Sequence, residues 1–119
     1  AFIARARDDA LEEIARRRAL YAAGRMLLDP EGRTAIVVDD GLATGATARA
    51  ALRALRRRKP RELILAVPVA PPGAIEEMRG EADRIVALIQ PDRFPGVGAF
   101  YEDFHQLDDA EVMRLLRRR

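Results

Sequence analysis

The chain has 119 residues, enough for one modest domain with its own core. Hydrophobic residues make up 49% and charged residues 34%, with a formal net charge of +2, which is typical of a globular protein and not of a disordered chain. The absence of cysteine excludes a disulfide framework and a thiolate metal site. No apolar run approaches the length of a membrane span, and charges run through the first twenty residues, so we expect no signal peptide there and a cytoplasmic location.

Helical and extended patterns alternate along the chain and predict parallel βαβ units with right-handed crossovers. We therefore expect a three-layer α/β fold with flanking helices in a single domain over 1–119, made of an N-terminal helix and turn (1–33), a βαβαβ core (34–89) and a C-terminal segment with a helix (90–119). The predicted elements are a helix over 8–23 ended by Gly24, a turn at 29–32, a strand at 34–38, a helix at 46–58, a strand at 63–69, a helix at 72–80, a strand at 84–89, an irregular stretch at 90–107 and a helix from Asp108 onward. In the second helix, the residues predicted to face the sheet are Ala50, Ala51, Ala54 and Leu55.

The stretch 36–47 carries the clearest chemical motif. Its β-branched start, Ile36 to Val38, is typical of a buried strand in a parallel sheet. Asp39 and Asp40 follow at the carboxyl end of that strand, where open α/β sheets bind their ligands. The small and hydroxyl-bearing loop after them consists of Gly41, Leu42, Ala43, Thr44, Gly45, Ala46 and Thr47.

This loop is predicted to bind a phosphate group. Gly41 and Gly45 permit tight turns and a close approach to a ligand, and the first N–H groups of the following helix have no internal partners and carry the positive end of its dipole. Asp39 and Asp40 are suited to accept hydrogen bonds from a diol, or to meet a divalent metal held by that diol. A phosphorylated sugar satisfies both halves of the motif.

Other interpretations of the motif remain. Asp-Asp-Gly is common in turns, and Thr-Gly can simply begin a helix. A P-loop is disfavoured because Ala46 stands where that motif needs Lys, and a dinucleotide fingerprint would require a third glycine besides Gly41 and Gly45.

Residues 36–47 resemble the phosphoribosyl-pyrophosphate signature of the type I phosphoribosyltransferases. The strand exit at 66–72 and the segment 100–104 are similar to those of bacterial stand-alone phosphoribosyltransferase-domain proteins, so the resemblance covers about 30–116. It implies that Asp39 and Asp40 are the catalytic pair that holds the ribose hydroxyls, and that the loop over 41–47, chiefly Ala43 to Thr47, wraps the 5′-phosphate.

The activity implied by the resemblance is transfer of a 5-phosphoribosyl group from phosphoribosyl pyrophosphate to a nitrogen nucleophile such as a nucleobase. The same resemblance implies a cofactor, Mg²⁺, held chiefly by the pyrophosphate and hydroxyls of the substrate rather than by a protein metal site. The alternative function is a non-catalytic regulator of the same fold that binds this ligand or a nucleotide, including one that acts on nucleic acid.

The chain departs from the family pattern at two points. Ala43 stands where many purine-salvage members have Asp, so any general base must come from elsewhere. No strand is expected before Thr34, whereas the family has two further strands and a pyrophosphate-binding loop there. The chain therefore resembles the C-terminal part of the domain, and we expect a second copy or a further N-terminal segment to cover the edge of the 34–38 strand.

Two further groups of residues each have two interpretations. Phe100 and Tyr101 stand where the family builds a hood over the nucleobase, which makes them candidate base contacts, and packing of a small satellite core is the alternative. The arginine-rich runs 16–18, 56–59 and 117–119 are interpreted as solvated helix faces rather than a nucleic-acid site, because few aromatic residues lie among them. Neither a membrane nor a nucleic-acid partner is expected.

Overall fold

Residues 2–22 and 28–117 are described by a computed structural model. These described residues fall into two units, one made of 2–22 and Leu28 with 105–117, and the other of residues 29–104. The elements in chain order are α1 (Phe2–Ala22), β1 (Thr34–Val38), α2 (Ala46–Arg56), β2 (Glu62–Val69), α3 (Pro72–Met78), β3 (Arg84–Ile89), a 3₁₀ turn (Val97–Phe100) and α4 (Asp109–Arg117). The α/β class, the parallel sheet and the flanking helices are confirmed.

Several helix ends differ from those predicted. The first helix begins at Phe2 rather than at Asp8, because no glycine or proline interrupts the residues before Asp8. Its predicted end at Gly24 lies outside the described residues. α2 ends at Arg56 rather than at Arg58, since the chain tightens there and Lys59 adopts a φ of 57°. α3 ends at Met78, because the next residue is extended and Gly80 has a φ of 89°.

The first unit consists mainly of α1 and α4. Arg16 of α1 donates to Glu13 on its own helix and, at 2.8 Å, to Asp109 of α4. Asp108 precedes α4 as predicted, and it forms a reciprocal cap: its carboxylate accepts the Glu111 N–H at 2.8 Å, while the Glu111 carboxylate accepts the Asp108 N–H at 3.2 Å.

The second unit is built on a parallel three-stranded sheet in the order β1-β2-β3. Val37 pairs with Leu65, and Leu65 with Ile85, so these side chains share one face of the sheet. α2 and α3 pack on that face around a core whose fully buried side chains include Leu42, Leu52, Leu63, Leu65 and Met78.

The predicted inward face of α2 was partly wrong. Leu55 packs against the core as expected, but Ala50 and Ala54 are exposed, and the buried residues of the helix are Ala48 and Leu52. Leu52 offers far more apolar area than any alanine, so its burial fixes the rotation of the helix.

The opposite face of the sheet is apolar and exposed. Ile36 and Val38 are 58% and 73% exposed, and Val86 and Leu88 on β3 are 43% and 79% exposed. β1 lies at an edge of the sheet in the described part of the chain, as the sequence indicates. That a second copy or a further segment covers this edge stays a prediction. None of the described helices is both long enough and apolar enough to cross a membrane.

Asp83 joins the start of β3 to β2. Its backbone N–H donates to the Leu63 carbonyl at 2.8 Å, and its carboxylate accepts the Leu63 N–H at 2.7 Å. The Arg56 guanidinium donates to the same carboxylate at 3.2 and 3.3 Å. Arg56 first, and then the Leu63 N–H, lower the pKa of Asp83.

Asp83→Asn is therefore expected to reduce the free energy of unfolding in a pH-dependent way. A carboxyl whose pKa is lowered by folding stabilises the protein above its unfolded pKa of about 3.9, and this contribution is lost as the pH falls through the lower folded value. Because the carboxylate is exposed and solvent screens its ion pair with Arg56, we expect the loss at pH 7 to be small but measurable.

Urea unfolding at pH 7 and pH 3 measures this effect. The gap between wild type and Asp83→Asn should narrow on acidification, while the exposed control Asp92→Asn should show no comparable gap. A gap of equal size at both pH values would contradict an ionic role for Asp83.

Candidate functional site

The acidic pair Asp39 and Asp40 comes directly after β1, at the carboxyl edge of the sheet. The Asp40 N–H donates to the Asp39 carboxylate at 2.8 Å, which fixes the two residues relative to one another. Partial burial and the neighbouring charge of Asp39 raise the pKa of Asp40. Two carboxylates so close together disfavour a third negative charge beside them.

The loop after the acidic pair is anchored in the core. The Leu42 N–H donates to the carbonyl of Val69, the last residue of β2, at 3.0 Å, and the Leu42 side chain is buried. A Cβ on Gly41 would lie 2.8 Å from Val97 and 2.9 Å from Val69. The sequence alone attributes Gly41 to the close approach of a ligand. The structure shows that packing against the protein's own side chains already requires glycine here.

Gly45 turns the loop into α2. It is the residue before the helix and adopts a left-handed conformation with φ 79° and ψ 1°. A Cβ at this position would lie 2.6 Å from the Met78 Cε, so Met78 closes the space beneath the loop. Both the dihedral angle and the contact demand glycine.

The first turn of α2 presents free N–H groups to the pocket. The Arg49 N–H donates to the Gly45 carbonyl at 2.8 Å and is the first donor of the helical ladder. The Ala46 N–H reaches the Thr44 hydroxyl at 3.4 Å, whereas Thr47 and Ala48 precede that ladder and have no acceptor within the helix. This is the arrangement that attracts an anion.

These groups open into one pocket of about 320 Å³. It is lined by Asp39, Asp40, Gly41, Leu42, Ala43, Thr44, Gly45, Ala46, Thr47, Ala48 and Val97. The structure therefore brings together every residue predicted for the acidic pair and the loop. Leu42 differs from the others, because its side chain belongs to the core and it can offer the pocket little beyond its backbone.

The two candidate base contacts lie apart from this lining. The Phe100 ring stacks with Phe94 at a centroid distance of 5.8 Å, and the Tyr101 ring packs against Phe104 at 5.1 Å. The Tyr101 hydroxyl donates to the Asp40 carbonyl at 2.6 Å. Of the two, Tyr101 alone is tied to the acidic pair by a hydrogen bond, and contact of either ring with a base stays a prediction.

Val97 and Met78 shape the site but were not singled out in the sequence. Val97 lies between two glycines in the aromatic stretch after β3, and this spacing was the available signal. Met78 had no signal, because its position beneath Gly45 depends on how α3 packs against α2.

The described residues contain no group of three or more His, Cys, Asp or Glu side chains that could hold a metal ion. The acidic pair is the donor set available at the pocket. Two adjacent carboxylates suit a Mg²⁺ ion that keeps most of its ligands from water or from a bound substrate.

Comparison with known proteins gives three findings. The family model described as phosphoribosyl transferase domain matches residues 3–104. Curated proteins from two strains of Mycobacterium tuberculosis, both carrying the provisional name phosphoribosyl transferase, are 41% identical over 108 residues, which is 91% of this chain and 24% of theirs. The chain thus spans about a quarter of the length of these relatives. The crystal structure of TT1426 from Thermus thermophilus is similar with a TM-score of 0.75 and 41% identity, over 84% of this chain and 48% of that one.

Gly45→Ala is expected to lower the free energy of unfolding by about 1–2 kcal/mol, because an alanine resists the left-handed conformation and its Cβ meets Met78. Chemical denaturation and amide NMR spectra measure the effect, and amide shifts should concentrate at 41–48. Gly73→Ala is the matched control, since a Cβ at Gly73 meets nothing within 4 Å and this glycine lies inside α3. If both variants were as stable as wild type, Gly45 would not hold the loop as described.

Proposed function

The chain belongs to the phosphoribosyl transferase domain family, and from this membership we propose that it binds phosphoribosyl pyrophosphate in the pocket after β1 and transfers the phosphoribosyl group to a nitrogen nucleophile such as a nucleobase. One observation carries the proposal: an acidic pair and the unpaired N–H groups of a helix start line the same pocket. A ligand that satisfies both must carry hydroxyl groups and an anion a few bonds apart, as a sugar phosphate does.

The phosphate half of the ligand fits the loop from Ala43 to Thr47. The N–H groups there belong to the loop and the start of α2, where an anion is favoured. The hydroxyls of Thr44 and Thr47 add donors on exposed side chains. Anchoring the 5′-phosphate would orient the sugar C1, where the reaction occurs. Binding energy from the phosphate would in this way reduce the entropic cost of reaching the transition state.

The ribose half fits the acidic pair. Ionised carboxylates accept hydrogen bonds from hydroxyl groups and are repelled by phosphate. In the transfer, the bond from the sugar C1 to the pyrophosphate oxygen breaks and pyrophosphate leaves with the electron pair, a bond from C1 to nitrogen forms, and the nitrogen loses its proton to solvent. Positive charge develops on the sugar ring meanwhile, and the negative charge of Asp39 and Asp40 stabilises it.

Magnesium enters the proposal with the substrate. Asp39 and Asp40 are the residues that would meet such an ion at the ribose hydroxyls. When bound, it would neutralise the charge of the leaving pyrophosphate. Ala43 has no titratable group, so in this proposal the chain supplies no proton acceptor from that position.

The test is a titration with ribose 5-phosphate and, separately, with inorganic phosphate, followed by amide NMR of the full chain. Wild type should show shifts at 41–48 with both ligands. Thr47→Ala should weaken both by about fivefold, the equivalent of one hydrogen bond, whereas Asp39→Asn and Asp40→Asn should weaken ribose 5-phosphate far more than inorganic phosphate.

Three results separate the possibilities. Shifts confined to residues outside 41–48 would contradict the assignment of the binding site. Equal losses of affinity for both ligands in the Asp variants would contradict the assignment of the acidic pair to the ribose and of the loop to the phosphate. Binding of phosphoribosyl pyrophosphate without pyrophosphate release over a panel of nucleobases would favour the non-catalytic regulator over the transferase.

A further inference from the structure

The peptide group between Asp40 and Gly41 is held by a hydrogen bond to its carbonyl and by close packing of its glycine. Its carbonyl accepts the Tyr101 hydroxyl at 2.6 Å, although the two residues are 61 positions apart in the chain. On the Gly41 side, Val97 and Val69 lie within 2.9 Å of where a Cβ would be, so the glycine is closely packed. Rotation of this peptide would therefore break the hydrogen bond from Tyr101 within a closely packed part of the loop.

The Tyr101 hydroxyl is suited to be a permanent donor. Burial, and then the charges of Asp40 and Asp39, raise its pKa, so it keeps its proton at neutral and moderately alkaline pH. An oxygen–oxygen distance of 2.6 Å is at the short end for hydroxyl hydrogen bonds.

Packing holds Tyr101 in this position. Its ring lies against Phe104, and Phe104 in turn fills the space beside Gly98, where a Cβ would be 2.8 Å away. From the same segment, Val97 packs against Gly41. The segment 97–104 thus contacts both residues of the peptide, one through a hydrogen bond and the other through a methyl group.

We infer that Tyr101 is a positioning residue for the acidic pair: its hydroxyl fixes the Asp40–Gly41 peptide so that the Asp40 carboxylate faces the sugar half of the ligand. The inference deepens the proposed function and rests on it. In this inference the Tyr101 hydroxyl acts on the ligand indirectly, by positioning Asp40. This differs from direct stacking of the Tyr101 ring on a base.

Tyr101→Phe isolates that role, because it removes the hydroxyl and keeps the ring against Phe104. The dissociation constants of ribose 5-phosphate and of inorganic phosphate are measured by amide NMR on the full chain. Loss of one hydrogen bond at the acidic pair should raise the constant for ribose 5-phosphate about fivefold and leave that for inorganic phosphate within twofold. The Gly41 amide should shift in the ligand-free variant.

Phe94→Leu is the matched control, since it disturbs the stacked pair of Phe94 and Phe100 in the same stretch and leaves the Tyr101 hydroxyl in place. It should change neither constant by more than twofold. If Tyr101 had only a structural role, Tyr101→Phe would raise both dissociation constants by the same factor.

The outcomes distinguish this inference from the function on which it rests. If wild type binds ribose 5-phosphate at 41–48 and Tyr101→Phe binds it equally well, or loses both ligands equally, the positioning role is wrong and the proposed function stands. If wild type binds neither ligand at 41–48, the proposed function fails and the positioning role fails with it.

Discussion

The hydrogen bond from the Leu42 N–H to the Val69 carbonyl, 3.0 Å long, ties the loop after β1 to the end of β2. Parallel pairing brings the carboxyl ends of both strands to one edge, and this bond continues the pairing past the acidic pair. The buried Leu42 side chain secures the same point from the core side. The chain can then reverse at Gly45 over Met78 and begin α2 beside Asp39 and Asp40. The site thus depends on the βαβ unit beneath it more than on any polar contact within it.

Charge is arranged in two opposite halves across a small pocket. The acidic pair lies at the strand end, and the positive end of α2 lies at the loop. Partial burial first, and then the neighbouring charge of Asp39, raise the pKa of Asp40, while the N–H groups of Asp40 and Gly41 act in the opposite direction. The Tyr101 hydroxyl is uncharged, so its hydrogen bond to the Asp40 carbonyl adds no charge to either half of the pocket.

The sequence was sufficient for whatever depends on local pattern. The order of helices and strands, the β3 bounds and the pocket residues 39–47 follow from β-branched runs, breakers and one motif. Features set by tertiary packing were not accessible. The inward face of α2 was misassigned at Ala50 and Ala54, because a run of alanines leaves the helix rotation undetermined until Leu52 is seen to be buried. Met78 beneath Gly45 and Tyr101 beside Asp40 join segments distant in the chain, so no local signal could reveal them.

A crystal structure of the chain with ribose 5-phosphate tests the central claim most directly, namely that one pocket binds a sugar phosphate in two parts. The account predicts the phosphate at the N–H groups from Thr44 to Thr47, and the ribose hydroxyls within hydrogen-bond distance of the Asp39 and Asp40 carboxylates. A ligand bound in reverse, with its hydroxyls at the loop, would contradict the account. So would a phosphate held instead by the exposed arginines of α2, such as Arg53 and Arg56.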